Sequence, residues 1–167
     1  MKLDFFNPRC QETPRSDVLF GICDDEDGTR AYTTTDNNNS WVASVINERE
    51  IELTFTAVDK CVLHDGDMPG RGRCDGMLTS DKHLFLIELK NQSPPWLSDT
   101  QKQLESSINF LEEYHEAELR GYQIKKIFAC NKKRPRMRVN SSYREMKTYY
   151  KKKYNFWFEF GAEIRVV

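Results

Sequence analysis

Residues 73–90 read RCDGMLTSDKHLFLIELK and are the most informative segment of the chain. Two apolar runs flank a short polar region centred between Asp81 and Lys82, which is typical of two strands joined by a tight turn. A hairpin with that centre pairs residues whose numbers sum to 163. The second run is apolar on both faces until its end, as in a central strand that is covered on both sides. The segment therefore predicts a hairpin with strands at 73–79 and 83–90.

This register places Asp75 directly opposite Glu88. Directly opposed side chains have Cβ atoms about 4.5–5.5 Å apart, and like charges in that position destabilise a sheet unless a positive charge lies between them. Lys90 lies on the same face as Glu88 and offsets part of the charge. Two converging carboxylates are also ligands that Mg²⁺ prefers, although a slip of one residue in register would separate them. The alternative interpretation is structural: the charged residues mark the point where the strand reaches solvent.

Further elements are predicted on both sides of the hairpin. Ser40 can cap a helix that begins at Trp41 and ends near Glu50, and alternating apolar and polar residues predict a strand at 51–58. Downstream, the patterns predict a long helix, a strand, a second helix and closing strand material, at 98–121, 124–130, 142–154, and 155–160 with 164–167. The order α-β-β-β-α-β, followed by α-β, predicts an α/β (α+β) fold.

Length and composition indicate a globular chain. At 167 residues the chain has the commonest size of one domain, and we expect a single domain over 1–167. Its expected parts are an irregular N-terminal segment at 1–39, a core at 40–131 and a basic extension at 132–167. The N-terminus lacks the apolar run of a secretory signal, and no segment approaches the roughly 20 apolar residues of a membrane helix. We therefore expect a cytoplasmic protein that does not bind membranes.

The five cysteines are odd in number and widely scattered, which favours free thiols over a disulfide framework. Cys61 and His64 have the spacing of half a zinc site. No CxxC pair supplies the other half, and buried small residues are the alternative interpretation.

Charge is distributed unevenly, although the net charge is only −1. Residues 1–60 hold 12 acids and 6 bases, whereas residues 123–153 hold 12 bases and one acid. A local basic face of this kind suits a polyanion, although a solvated surface has a similar sequence. The residues that we expect to bind nucleic acid are Lys132, Lys133, Arg134, Arg136, Arg138, Lys151, Lys152 and Lys153.

The set Asp75, Glu88 and Lys90 resembles the motif of the PD-(D/E)XK nuclease superfamily, in which an acid on one strand is followed on the next by acid-x-lysine. The α-β-β-β-α-β core of that family also matches the predicted element order over 41–130. Cys74 stands where the family often has proline, and the helix after Lys90 lacks the Gln-xxx-Tyr pattern of one branch. The resemblance implies a restriction-endonuclease-like core, with a central mixed β-sheet flanked by helices.

The resemblance also implies a Mg²⁺-dependent endonuclease that hydrolyses phosphodiester bonds, with Mn²⁺ as a substitute ion. The expected metal ligands are Asp75, Glu88, the Leu89 carbonyl and, from the first helix, Glu48 or Glu50. Lys90 is expected to position or deprotonate the attacking water and to contact the scissile phosphate. Gln101 is a further active-site candidate, with a helix-capping role as its alternative.

Two other functions remain open on the sequence alone. A nuclease-like fold without activity could bind nucleic acid or protein, because a fold does not determine an activity. The intact acid, acid-x-lysine set favours the enzyme over that alternative, since degenerate members commonly lose one of the three residues. A small inhibitor whose acidic run at 24–27 mimics phosphate charge is the third interpretation. The expected partner is nucleic acid, DNA before RNA, and the sequence leaves open a homodimer or a larger complex.

Overall fold

The computed structural model describes residues 3–93, 97–133 and 141–167, and these form a mixed α/β fold. The strands are β1 (Leu19–Cys23), β2 (Tyr32–Thr34), β3 (Ala43–Ile46), β4 (Thr54–Ala57), β5 (Gly76–Thr79), β6 (His83–Lys90), β7 (Ile124–Asn131), β8 (Trp157–Gly161) and β9 (Glu163–Arg165). The α-helices are α1 (Leu97–Tyr114), α2 (Glu116–Arg120) and α3 (Ser141–Tyr154). The predicted mixture of helices and strands is therefore confirmed.

Strands β4 to β8 form one sheet, in the spatial order β4-β5-β6-β7-β8. β4, β5 and β6 are antiparallel neighbours, whereas β6, β7 and β8 are parallel. In the β5–β6 hairpin, Gly76 lies opposite Ile87 and Thr79 lies opposite Leu84. The numbers of each pair sum to 163, so the predicted register is confirmed.

β6 lies in the middle of this sheet and is apolar on both faces. Leu84 and Leu86 belong to the apolar cluster that lies between the sheet and helices α1 and α3. Phe85, Ile87 and Leu89 belong to a second cluster on the opposite face. Because both faces are covered, a charged residue near the end of β6 lies beside a core that excludes water.

The second sheet has the order β2-β1-β3-β9 and covers the face of the first sheet that lies away from the helices. Phe20 and Val45 of this sheet share one apolar cluster with Phe85 of β6. The chain crosses from β8 to β9 at Gly161, whose φ of 131° is a conformation that favours glycine. The result is three layers: helices, five-stranded sheet and four-stranded sheet.

Helix α1 packs on the five-stranded sheet through the apolar stripe that the sequence predicts, and its buried residues include Leu104, Ile108 and Leu111. The helix does not continue to Gly121 as predicted. It is interrupted at His115, whose Nε2 accepts a hydrogen bond from the Phe5 N–H at 3.0 Å. Within the described ranges, no helix is both long and apolar enough to cross a membrane.

The predicted helix from Trp41 to about Glu50 is wrong, because this segment forms strand β3. Val45 pairs with Phe20 of β1 on one side and with Ile164 of β9 on the other. A short apolar run does not distinguish a helix from a strand, and β-branched residues favour the strand. Pairing partners that are distant in the sequence therefore set the local structure here.

The prediction that 1–39 is irregular is also wrong, because this segment contains β1 and β2. β1 is buried at four of its five residues, and Gly21 of β1 lies opposite Thr34 of β2. β2 is a threonine-containing edge strand, and threonine fits a half-buried pleated surface despite its polarity. The acidic run at 24–27 lies in the loop between the two strands, as the sequence predicts for that run.

Cys10 and Cys61 form a disulfide, with Cα atoms 5.6 Å apart, so the prediction of free thiols is wrong for this pair. The isolated β-bridge between Gln11 and Thr56 holds the N-terminal segment beside β4 and brings the two cysteines together. The disulfide also removes Cys61 from the zinc half-site with His64. Disulfides are rare in the reducing cytoplasm, so the pair weighs against the expected compartment. The buried free thiols are Cys23, Cys74 and Cys130.

Candidate functional site

Asp75, Glu88 and Lys90 meet at one end of the five-stranded sheet, where the parallel strands β6 and β7 finish. Asp75 immediately precedes β5, and its N–H donates to the Ile87 carbonyl at 3.1 Å. The numbers of these two residues sum to 162, so the regular ladder ends at Gly76 and Asp75 lies just outside it. The side chains of Asp75 and Glu88 are nevertheless neighbours at this end of the hairpin, as the sequence predicts.

Burial dominates the electrostatics of this pair. The Glu88 side chain is only 4% exposed. Burial raises the pKa of Glu88 well above its usual range, and the neighbouring Asp75 charge raises that pKa further. Burial also raises the pKa of Asp75, whereas its hydrogen bonds with Glu88 and with the Leu89 N–H act to lower it. Glu88 therefore holds a proton more readily than Asp75, and ionising both groups requires a nearby positive charge.

One carboxylate oxygen of Glu88 lacks a donor. Glu88 Oε1 is buried and accepts no hydrogen bond from any group that the structure describes, whereas Oε2 lies 3.4 Å from Lys90 Nζ. A buried acceptor without a partner costs about 1–3 kcal/mol. A proton retained by the acid pair would satisfy this oxygen, and so would a divalent cation bound between Glu88 and Asp75. Hard carboxylate oxygens that converge in this way fit Mg²⁺ or Mn²⁺.

The Leu89 backbone orients Asp75. The Leu89 N–H donates to Asp75 Oδ2 at 2.7 Å, and a hydrogen bond to a charged carboxylate is stronger than a neutral one. The family resemblance implies that the Leu89 carbonyl is a metal ligand, and this stays a prediction. The contact through the N–H was missed, because it depends on how the chain at Asp75 bends toward β6 just before β5 begins.

Within the part of the chain that the structure describes, no group of three or more His, Cys, Asp or Glu side chains could hold a metal ion. A cation between Asp75 and Glu88 would therefore need backbone, water or phosphate oxygens to complete its coordination, as Mg²⁺ commonly does. Glu48 does not join the pair, contrary to the expectation. It lies with Glu50 in the exposed turn after β3, and β4 separates this turn from the end of the sheet near Asp75. The physical reason is that the helix expected to carry Glu48 is strand β3.

Helix α1 holds the backbone that leads into Asp75. The Arg73 N–H donates to Gln103 Oε1 at 2.8 Å. The Cys74 N–H donates to Ser107 Oγ at 2.7 Å. These two contacts fix consecutive residues next to Asp75 and connect the helix layer to the candidate site.

Gln103, and not Gln101, is the glutamine of α1 that reaches this loop. A Cβ atom on Gly72 would lie only 2.2 Å from Gln103 Oε1, so the loop passes close to the helix. Gln101 is half-buried, its backbone carbonyl accepts from the Tyr150 hydroxyl at 3.5 Å, and no described hydrogen bond joins its side chain to the acid pair. The available signal was spacing: Gln103 and Ser107 are four residues apart and share one helix face.

An acidic cavity of about 200 Å³ adjoins Asp75. Its lining includes Asp24 and Glu26 from the β1–β2 loop and Asp59 from the segment after β4. Burial is the main cause of the raised Asp75 pKa, and the charges of Asp24 and Asp59 add to it. Lys60 also lines the cavity and supplies a positive charge. The predicted acidic loop is thus part of the surroundings of the candidate site.

The predicted nucleic-acid-binding residues are divided between two ends of the sheet. Lys132 and Lys133 directly follow β7, and the Lys132 N–H donates to the Lys90 carbonyl at 2.8 Å. α3 leads into the start of β8, which lies at the opposite end because β8 runs parallel to β7. Lys151–Lys153, in the last turn of α3, therefore lie away from Lys90. Arg134, Arg136 and Arg138 lie outside the described residues.

Comparison of the chain with protein-family models, with curated proteins and with solved structures found no match. The functional proposal accordingly uses the geometry of Asp75, Glu88 and Lys90 and the positions of the basic residues around them.

Proposed function

We propose that the protein is a Mg²⁺-dependent nuclease that hydrolyses phosphodiester bonds of nucleic acid. The observation that carries the proposal is the buried, unpartnered Oε1 of Glu88 beside the carboxyl group of Asp75. Two acids with raised pKa values are unfavourable for stability alone, and such perturbed groups concentrate at functional sites. Lys90, whose Nζ lies 3.4 Å from Glu88 Oε2, completes the acid, acid-x-lysine set.

The order of the elements supports the family resemblance. β4, β5, β6, α1 and β7 follow one another in the order expected for the core after its first helix. Strand β3 occupies the position in the chain at which that helix was expected. We therefore propose a restriction-endonuclease-like core formed by the five-stranded sheet and α1, with the four-stranded sheet covering its other face.

Each residue has a separate task in the proposed reaction. Asp75 and Glu88 would hold a divalent cation, which supplies Lewis-acid activation and neutralises the negative charge that develops on the phosphate. The Leu89 N–H keeps the Asp75 carboxylate in place. The Lys90 side chain is 22% exposed, so it can extend from the buried pair to a phosphate at the surface and position the attacking water.

Nucleic acid is the proposed substrate because Lys132 and Lys133 lie at the end of β7, beside the acid pair. Lys132 is hydrogen-bonded through its backbone to Lys90, and Lys133 follows in an exposed position. Lysines next to the proposed cleavage point can neutralise backbone phosphates, which supply most of the affinity in nonspecific binding. DNA is proposed before RNA.

A cleavage assay tests the proposal. The purified chain is incubated with single- and double-stranded DNA and RNA in the presence of Mg²⁺, Mn²⁺ or a chelator. Cleavage is expected with either ion and not with the chelator, and Asp75→Asn should abolish it. Glu48→Gln is the matched control, because this acid lies in the exposed turn after β3 and should be dispensable. Failure to cleave every substrate, or cleavage that survives Asp75→Asn, would contradict the proposal.

A binding module on the same fold is the second candidate, and one observation favours it. Asp24, Glu26 and Asp59 line the cavity beside Asp75, and their negative charge opposes the approach of a phosphate. A chain that binds nucleic acid but cleaves none with either ion would support this candidate over the nuclease.

A further inference from the structure

An exposed tryptophan flanked by lysines lies away from the acid pair. Trp157 opens β8, the outer strand of the five-stranded sheet, and its side chain is 47% exposed. Lys151 Nζ lies 4.4 Å from the centre of the Trp157 ring. Lys126 lies opposite Trp157 on the neighbouring strand, and Lys125 precedes it. We name Lys126, Lys151 and Trp157 the edge surface; Lys125 borders it from the opposite face of β7, where its Nζ lies 5.7 Å from the centre of the Phe156 ring.

The lysines of the edge surface have no acidic partner within ion-pair distance among the described residues. Lys151 Nζ contacts the neutral Asn155 Oδ1 at 2.7 Å. Burial lowers the pKa of Lys125, and the like charge of Lys151 lowers it further, while Glu112 partly offsets the effect. Cations that are brought together without ion pairs are available to an anion.

The packing of β8 leaves Trp157 partly exposed, although Lys151 Nζ lies over one face of its ring. Phe156 and Phe158, on either side of it, are buried in the cluster under the helices. Successive side chains of a strand point to opposite faces, so Trp157 lies on the other face, beside Lys126. An exposed aromatic ring with one cation in contact and another on the neighbouring strand can bind a base by stacking on its open face and the adjacent phosphates by charge.

We propose that the edge surface binds a single-stranded segment of nucleic acid, with a base stacked on Trp157 and phosphates at Lys126 and Lys151. A single strand fits better than a duplex, because only unpaired bases expose their faces for stacking. The choice of nucleic acid as the partner rests on the proposed nuclease function. The binding itself requires no chemistry at Asp75 or Glu88.

The position of the edge surface allows one nucleic-acid strand to reach both Trp157 and the acid pair. Trp157 pairs with Lys126, which pairs with Phe85, three residues before Glu88 on β6. Strand spacings place Trp157 about 10 Å from Glu88 along the strands and about 10 Å across them. Glu88 and Trp157 lie on opposite faces of the sheet, so a bound nucleic acid would pass around β8. In the described sheet, β8 has no neighbouring β-strand on its outer side. The edge surface would hold the substrate while an adjacent segment enters the candidate site.

Fluorescence anisotropy in the presence of a chelator measures this binding without cleavage. The probes are a labelled single-stranded oligonucleotide of roughly 12 nucleotides and the corresponding duplex. Trp157→Ala should weaken single-strand binding by about 5- to 100-fold, the range expected from losing one stacked base. Trp157→Phe should keep most of the affinity, because it keeps a stacking ring. Lys126→Gln and Lys151→Gln should each flatten the salt dependence by about 0.7 in log–log slope.

Tyr114→Ala is the matched control, since Tyr114 is an aromatic residue of α1 with a comparable exposure of 37%. It should bind as the unmodified chain does, and melting temperatures verify that every variant is folded. Unchanged single-strand binding by Trp157→Ala would overturn the proposal even if the chain proves to be a nuclease. Binding of duplex alone, or of no nucleic acid, would also overturn it. If the chain cleaves no nucleic acid but binds a single strand in a way that depends on Trp157, the edge-surface proposal is supported and the nuclease proposal is contradicted.

Discussion

The two ends of the parallel strands β6, β7 and β8 carry opposite charge in opposite environments. At the carboxyl end, Asp75 and Glu88 converge beside the apolar core, and burial raises the pKa of both. At the amino end, Lys126 and Lys151 surround a tryptophan that is 47% exposed, Trp157. One sheet thus presents a buried acidic end and an exposed basic end.

Burial explains why the two ends suit different tasks. In a poorly solvated environment a charge interacts strongly with its neighbours, so a few buried acids can bind an ion or change a reaction barrier. In water each charge contributes little, and exposed lysines act only as a group. Single substitutions should therefore have large effects at the acidic end and small, cumulative effects among the exposed cations.

Lys90→Ala is expected to have the largest effect on the cleavage rate. A small effect would contradict the proposed difference between the two ends of the sheet. Cleavage should fall by about 10²–10⁴-fold with little change in affinity, because Lys90 is proposed to act on the transition state. Rate, affinity and melting temperature are measured on the same preparation. Lys82→Ala, at an exposed lysine in the hairpin turn, is the control and should cleave normally. A lower melting temperature with normal cleavage in Mg²⁺ would instead assign Lys90 a structural role beside Glu88.

Asp75→Ala is expected to remove the binding of Mg²⁺ or Mn²⁺. Loss of a direct ligand should weaken affinity by more than the about 10–100-fold typical of residues that only orient ligands. Calorimetry with each ion measures the change. Asp81→Ala, at an exposed acid in the hairpin turn, serves as the control. Equal ion binding by Asp75→Ala and the unmodified chain would show that the acid pair is not the metal site.

Glu88→Gln is expected to abolish cleavage and yet stabilise the metal-free chain by about 1–3 kcal/mol, because it replaces a buried acid that is costly to ionise and lacks a full set of partners. Urea denaturation of the variant and of the unmodified chain measures this difference. A less stable variant at neutral pH would show that Glu88 serves stability, and the proposed distinction between the two ends would fail.

The same variant makes a prediction about pH. The pKa of Glu88 is raised in the folded state, so the folded chain binds this proton more tightly than the unfolded chain. The free energy of unfolding of the metal-free chain should therefore fall as the pH rises from the usual carboxyl range toward the raised pKa. Glu88→Gln should lack this decline, and Mg²⁺ should reduce it in the unmodified chain. Denaturation curves between about pH 5 and pH 8 compare the three cases.

The double substitution Lys132→Ala and Lys133→Ala is expected to have the smallest effect. Cleavage at saturating substrate should be unchanged, and the log–log salt slope of duplex binding should flatten by about 2, because each phosphate contact contributes about 0.9. Affinity is measured at several salt concentrations. Lys102→Ala, at an exposed position of α1, is the control. An unchanged slope would show that Lys132 and Lys133 belong to ordinary solvated surface and do not contact phosphates.

Local sequence was sufficient to predict the centre of the fold and of the candidate site. The alternation over 83–90 and the turn between Asp81 and Lys82 set the hairpin register from Gly76 to Thr79, and that register predicted Asp75 and Glu88 as neighbours. All of these interactions lie within one short segment. The alternation of side chains and the position of the turn allow only one strand register that buries the apolar residues. The stripe of α1 was predictable for the same reason.

Contacts between distant segments set the remaining features. Val45 lies in a strand because β1 and β9 supply its partners, and Gln103 supports the site because the backbone at Arg73 passes beside it. Cys10 meets Cys61 only where the N-terminal segment lies along β4, and Lys151 meets Trp157 only where α3 turns into β8. A short segment is compatible with several local structures of similar free energy. The choice among them follows from burial and hydrogen bonding across the whole chain, which local propensity does not contain.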